Sequence, residues 1–399
     1  MDQPYTQEVI DALVRRVLRV DDVTLGASKE NYLIRYSGQI YNTDTAAAYD
    51  QLAEYLKPYG LMPLFRLEGE RHVVLIIPRL AQPKPSNPRV NLLLFILTLL
   101  SVLASGALYG MQEPLPADWL EAAWVLVKSG LPFAITMIVV LGAHEFGHYL
   151  AGRFHGVHVT LPYFIPMPLS PFGTMGAFIN MKEPPKNRRQ LLDIGLAGPI
   201  AGVVFAIPAL LIGLSHSTLN PLPAAPQATG FSLEGNSILY LALKYIVYGK
   251  LLPAPLNYGG LSPALFWLRY FFTGQPIPYG GMDVMVGPVA FAAWAGILVT
   301  GLNLIPAGQL DGGHLLYVLF GRETSRRIFP FLLAGMIALG FFWSGWWLWA
   351  LLLFFLIGRS HAEPLDQITP LDTRRKVFGV VGLVLFFLTF TPVPLLLIS

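Results

Sequence analysis

The stretch Ile138-Val139-Val140-Leu141-Gly142-Ala143-His144-Glu145-Phe146-Gly147-His148-Tyr149-Leu150-Ala151 sets two histidines and a glutamate inside an apolar run. Residues four apart share one face of a helix, so His144 and His148 present their rings to the same ion, and Glu145 is placed to polarise water bound to it. In a chain this poor in His and Glu, a chance match to His-Glu-x-x-His has a probability of roughly 0.005. An ionisable group at the centre of a membrane helix costs on the order of 2.5–3.5 kcal/mol on insertion scales. A carboxylate kept between two histidines therefore needs an offsetting partner such as a bound cation. The competing reading, a polar cluster that only bonds neighbouring helices, suits a lone histidine better than this trio.

The rest of the chain supports a membrane setting. Of 399 residues, 54% are hydrophobic and 13% charged, a balance well outside that of soluble domains. Runs long enough to cross a hydrocarbon core, roughly 20 helical residues each, are expected at 91–110, 131–151, 191–214, 285–305, 328–343, 346–358 and 376–397. The fifth and sixth are short and read as one hairpin around Ser344-Gly345. The expected fold is thus mainly α: a polytopic transmembrane bundle of about seven spans. Basic residues in short loops set its orientation. Lys84 and Arg89, Arg153 with the Lys182 to Arg189 group, Arg322 to Arg327, and Arg359 to Lys376 fall on one side of a seven-span path with a cytoplasmic amino terminus. The net charge of +3 gives no reason to expect nucleic acid as a partner. Cysteine is absent, which excludes disulfides and thiolate ligands, so any metal is held by His, Asp or Glu.

Residues 1–80 read as a small soluble α+β domain, with helices at 7–18 and 45–56, an alternating run near 32–36, and a hairpin of 63–67 with 72–78. Pro83, Pro85 and Pro88 mark residues 81–90 as an extended linker, and 91–399 as the membrane part. The amino terminus has no apolar core followed by a small-residue cleavage site, so a removable leader is not expected. The segment 215–284 is expected to hold a surface helix near 236–248 and carries no motif.

Two histidines leave a tetrahedral ion one protein ligand short if water takes the fourth position. The stretch Asn303-Leu304-Ile305-Pro306-Ala307-Gly308-Gln309-Leu310-Asp311-Gly312-Gly313-His314 breaks an apolar helix with Pro306 and Gly308, and Gly312-Gly313 permit close backbone approach. Asp311 is the expected third ligand; His314 is as readily a plain helix-facing polar residue as a support to the ligands. Between these segments, Pro162 to Pro168 leads into Gly173-Thr174-Met175-Gly176-Ala177-Phe178-Ile179, expected to be a re-entrant, β-like element whose free edge pairs with extended substrate.

Three separated motifs, His144 to His148, Gly173 to Ile179 and Asn303 to His314, with the weaker Ala197-Gly198-Pro199-Ile200-Ala201-Gly202, together resemble the site-2 protease family of intramembrane zinc metalloproteases. The later apolar spans and the soluble unit look like the branch of plastid yellow-green, gravitropism-deficient metalloproteases and their bacterial relatives. The resemblance implies one zinc ion held where the two helices converge, substrates that are membrane proteins in the lipid bilayer, and a multi-pass protein, expected in the cell membrane. One position departs from it. Many members have Asn near the end of the Ala-Gly-Pro segment, suggested to help the oxyanion, where this chain has Gly202; Asn180 and Asn303 are the alternatives.

The chemistry expected is peptide hydrolysis by metal-activated water, with Glu145 carrying the proton to the leaving amine. A transporter or channel using the His/Asp cluster as an ion path is the rival. Against it stand one tight ligand set and no duplicated halves. A third reading, a membrane chaperone without catalysis, is opposed by the intact His144, Glu145, His148 and Asp311.

Overall fold

The computed structural model describes residues 4–27, 30–80, 86–111, 114–226, 231–357 and 363–398. Helix α1 (Gln7–Val14) opens on Thr6, whose hydroxyl accepts from the Val9 amide. It stops four residues short of the expected end, because the β-branched Val17, Val20 and Val23 belong to or border strand β1 (Leu18–Leu25). Strand β2 (Ile34–Ile40), helix α2 (Thr45–Leu56), and the hairpin β3 (Leu61–Glu68) and β4 (Arg71–Pro78) complete an antiparallel sheet of order β1-β2-β4-β3. Asp44 caps α2 by accepting from the Ala46 and Ala47 amides. The unit has its own core, in which Ile10, Val14, Tyr36, Leu52 and Phe65 are all fully enclosed.

Helix α3 (Pro88–Gly110) begins inside the expected linker, of which residues 81–85 lie outside the described set. Pro88 sits in the first turn, where its missing N–H costs nothing, and Asn87 caps the Arg89 amide. Helix α4 (Trp119–Phe154) is far longer than its expected span and passes through Pro132. The hairpin β5 (Tyr163–Pro166) and β6 (Thr174–Phe178) follows, then α5 (Arg188–Ser215). Of the described helices, α3, α4 and α5 are long and apolar enough to cross a membrane.

Beyond α5 lies a cap of short elements: β7 (Thr218–Pro221), β8 (Phe231–Glu234), α6 (Ile238–Tyr248), α7 (Pro263–Thr273) and β9 (Met282–Met285). Helix α8 (Pro288–Asn303) has 16 residues, about 24 Å at the usual rise, less than a full hydrocarbon core. Helix α9 (Asp311–Leu339) is broken at Gly321, where φ is 84°, and is followed by α10 (Gly345–Leu352) and α11 (Thr373–Thr389). The expected seventh span, 376–397, ends early. After Thr389 the chain carries Pro392 and Pro394, leaves the helix, and forms strand β10 (Leu395–Ile398) paired antiparallel with β8. The described helices therefore give a mainly helical protein with small sheets and three spanning-length helices, short of the seven expected.

The large core packs α4, α5 and α8 together, with Phe133, Met137, Ala206, Leu210, Trp294 and Ile297 buried among them. A strap, residues 363–370, ties the amino-terminal unit to this core. The Phe65 amide donates to the Leu365 carbonyl and the Gln367 amide to the Phe65 carbonyl, while on its other side Leu365 and Asp366 donate to the carbonyls of Pro185 and Lys186. Asp366 is fully buried, which raises its pKa, and its carboxylate accepts from the Ile368 and Thr369 amides.

Candidate metal centre

Helix α4 can approach α5 closely because small residues meet at the crossing. A Cβ on Gly147 would lie 2.4 Å from the Ala197 carbonyl oxygen. At the same crossing, two glycines four apart oppose the two histidines four apart. A Cβ on Gly198 would lie 2.0 Å from Nε2 of His148, and one on Gly202 would lie 3.1 Å from Nδ1 of His144. Gly202, read from sequence as a departure from the family pattern, is thus the residue that leaves room for the His144 ring. The ring of His148 is oriented from behind: its Nδ1 is 2.7 Å from the Ile194 carbonyl oxygen, so Nδ1 carries the proton and Nε2 points forward as a lone-pair donor.

The third donor arrives from the break between α8 and α9. Residues 304–310 form a tight coil in which Gly308 has φ 53° and a Cβ on Gly312 would lie 1.9 Å from the Leu304 carbonyl oxygen. This coil delivers Asp311 at the first turn of α9, where a helix N-terminus favours a carboxylate. Oδ2 of Asp311 is 3.3 Å from Nε2 of each histidine, and the two Nε2 atoms are 3.2 Å apart. Donors held at about 2.0–2.1 Å around a tetrahedral zinc ion are separated by about 3.3 Å. The near-equilateral triangle of N, N and O donors has this size, and the donor set is the one zinc prefers once thiolates are excluded. The residues fit the ion.

Glu145 is buried beside this triangle, and the backbone of Ile179 faces its carboxylate. Both line a cavity of about 480 Å³ that also takes in Asn180, Asn303 and His314. Asn303, at the last turn of α8, sets Nδ2 3.3 Å from Nε2 of His144. Asn180 is exposed, and its backbone, not its side chain, is used in bonds to Thr160. The hairpin β5/β6 lies on one side of the cavity and is β-structured, as expected of this stretch. Its outer strand continues past Phe178: the Thr160 amide donates to the Asn180 carbonyl and the Lys182 amide to the His158 carbonyl. Backbone groups alternate along a strand, so those of Ile179 and Met181 face the cavity instead.

A sequence model of peptidase family M50 matches residues 132–343, which contain all four of His144, Glu145, His148 and Asp311. The chain belongs to peptidase family M50. Curated relatives of this M50 chain include the "Probable zinc metalloprotease EGY2, chloroplastic" of Arabidopsis thaliana, 28% identical over 339 residues, covering 84% of this chain and 55% of the relative. The "Probable zinc metalloprotease EGY1, chloroplastic" of the same plant is 29% identical over 285 residues, 70% of this chain and 45% of its own length. The "Probable zinc metalloprotease EGY3, chloroplastic" of Oryza sativa subsp. japonica is 27% identical over 272 residues, 67% and 42%. The M50 chain thus spans about half the length of the relatives it matches. Within it, sequence reading found the motif residues but missed the Ile194 carbonyl behind His148. The nearest sequence signal is Pro199, which leaves the Gly195 carbonyl, one residue beyond Ile194, without its helical donor.

Proposed function

We propose that this chain is an intramembrane zinc metalloprotease that hydrolyses peptide bonds of membrane-protein substrates within or beside the bilayer. The observation that carries this reading is the triangle of His144, His148 and Asp311 donors, sized for zinc, with the Glu145 carboxylate at its side and a cavity in front. His144, His148 and Asp311 would hold the ion. When bound, zinc lowers the pKa of a water molecule to about 7 and polarises a carbonyl.

The remaining work belongs to the protein. Glu145, buried and next to the donors, takes the proton from the attacking water and passes it to the leaving amine. Asn303, whose amide group stands 3.3 Å from the Nε2 atom of His144, is the better of the two asparagines to donate to the substrate carbonyl as charge develops on it; Asn180 lines the same cavity but is exposed. The cavity-facing edge at Ile179 and Met181 pairs with a substrate unwound into a strand, since helical hydrogen bonds would shield its carbonyls. We place a soluble unit at 1–80 and the membrane part from α3 onward, with the linker between them ending where α3 begins at Pro88. We further propose about seven spans, α8 to α11 supplying those beyond the three long helices, with the amino terminus on the side of the basic loops, the cytoplasmic one. The relatives' names place them in chloroplasts, so a cell membrane finds no support there, and the proposal is a multi-pass membrane protein.

The test is cleavage of a single-span membrane peptide in proteoliposomes by the wild type and by Glu145→Gln, with bound zinc measured in both. Cleavage lost with zinc retained supports the assignment. Equal cleavage by both proteins would sink it.

A further inference from the structure

The catalytic cavity does not end at the metal donors. Its wall runs on along residues 177–183, and Glu183 and Pro184 are shared with a second cavity of about 330 Å³. That cavity lies between the amino-terminal unit, which contributes Asp50, Met62 and Arg79, and the core, which contributes His155, Lys186 and Gln190. An ion pair between Asp50 and Lys186 crosses it, and the Lys186 ammonium also stands 5.9 Å from the Tyr49 ring centre.

The backbone is continuous in the same direction. The edge that faces the metal site at Ile179 and Met181 is followed, within a few residues, by Pro185 and Lys186, whose carbonyls accept from the strap; the strap in turn pairs with β3. The four-stranded sheet of the amino-terminal unit therefore extends, through the strap, to the end of the ledge on which a substrate strand would lie. A chain paired along that ledge has its next residues directed to the second cavity. The lining there carries charges of both signs, Asp50 and Glu183 against Arg79 and Lys186, which suits a polar polypeptide and not a lipid tail.

Resting on the protease reading above, we propose that the amino-terminal unit forms the outer half of the substrate channel and grips, as an extended chain, the polar segment of the substrate that leaves the bilayer beyond the bond held at the metal. The unit is then a determinant of substrate binding, and the strap keeps its cavity aligned with the catalytic one.

The experiment uses the full chain in proteoliposomes and two synthetic peptides: a single apolar span with a polar tail on the side of the amino-terminal unit, and the same span without the tail. Wild type is expected to show a KM roughly tenfold lower for the tailed peptide, one polar grip in size. Met62→Trp, which fills the second cavity away from every metal donor, should erase that advantage while leaving kcat, the tail-less KM and bound zinc unchanged. As a measurement that does not depend on a cavity-filling variant, a photo-crosslinking residue at position 62 in Glu145→Gln protein should capture the tailed peptide, and one at the exposed Tyr41, outside both cavities, should not. Equal KM for the two peptides in wild type, or an advantage that survives Met62→Trp with no capture from position 62, overturns the proposal and leaves the protease reading standing. If neither peptide is cut in a Glu145-dependent way, both fall together.

Discussion

Two buried clusters of charged residues sit at different places in this molecule, and they balance their charge in opposite ways. At the metal centre, two imidazoles and the Asp311 carboxylate aim three donor atoms at one point, with separations of 3.2 to 3.3 Å and no cationic side chain among them. In the cap, Glu234 from β8 and Asp283 from β9 flank the fully buried Lys244 of α6, whose Nζ is 4.0 and 3.9 Å from the two carboxylates and 4.4 Å from the Tyr240 ring centre. The Tyr240 hydroxyl donates to Glu234 at 2.8 Å. The cap carries its own cation and is closed; the donor triangle has none and, on the proposed reading, receives one from outside. Buried carboxylates survive in a protein only when something offsets their desolvation, and the identity of that partner separates a structural lock from a reactive site.

The difference can be broken from either end. The largest effect is expected from Asp311→Ala, which should abolish both stoichiometric zinc and peptide cleavage, whereas Asp283→Asn should leave zinc content unchanged; elemental analysis of the purified proteins checks both. Next, Lys244→Met strips the cap of its cation and leaves two buried carboxylates facing each other. Breaking a buried pair costs about 3–5 kcal/mol, so thermal unfolding should move sharply down, and a second change, Glu234→Gln with Asp283→Asn in the same chain, should recover much of the loss.

A smaller effect is expected from Gly198→Ala. Its new methyl would collide with the His148 ring, shift Nε2 out of the triangle, and lower zinc affinity by roughly 10–100-fold, the scale of outer-shell changes at metal sites; competition with a chelator of known affinity measures it. The smallest is a pH dependence confined to the cap. Burial pushes the Glu234 pKa up to about 7, above its ordinary value, with Asp283 adding to the rise and Lys244 opposing it. The folded cap then binds more protons than the unfolded chain between about pH 4.5 and 7, so stability falls as pH rises through that window and levels off above it. Cap stability followed by amide hydrogen exchange should show this slope in wild type and a shallower one in Glu234→Gln, where the buried Asp283, whose pKa is also raised by burial, remains.

How much of this was legible beforehand differs between the same two clusters. His144, Glu145 and His148 stand at fixed spacing on one helix, and Asp311 stands in a Gly- and Pro-marked break, so each announces itself locally. Lys244, Glu234 and Asp283 come from three separate short elements with no shared spacing, and the segment holding them was read as empty of chemistry. The same contrast runs through the fold. The long apolar runs of α3 and α5 agree with the expected spans to within three residues at each end. The expected helix over 7–18 overruns α1 by four residues, and strand β1, whose Leu18–Leu25 stretch is half polar, has no signal in the sequence strong enough to be read. Most of strand β10 falls within the expected span 376–397, since its partner β8 lies more than 160 residues upstream.

Composition, the His-Glu-x-x-His spacing, and the helix-breaking turn before Asp311 by themselves determined a membrane setting and a set of N and O donors suited to zinc, because each is written within a few residues and obeys the geometry of a single helix or turn. Only the tertiary structure decided that the donors from α4 and α9 meet at 3.3 Å, that Gly198 and Gly202 make room for their rings, that the cap balances its own charge, and that a strap joins the amino-terminal sheet to the ledge beside the metal. Those contacts join residues tens to hundreds of positions apart, and their distances follow from how whole helices pack, which no local spacing encodes.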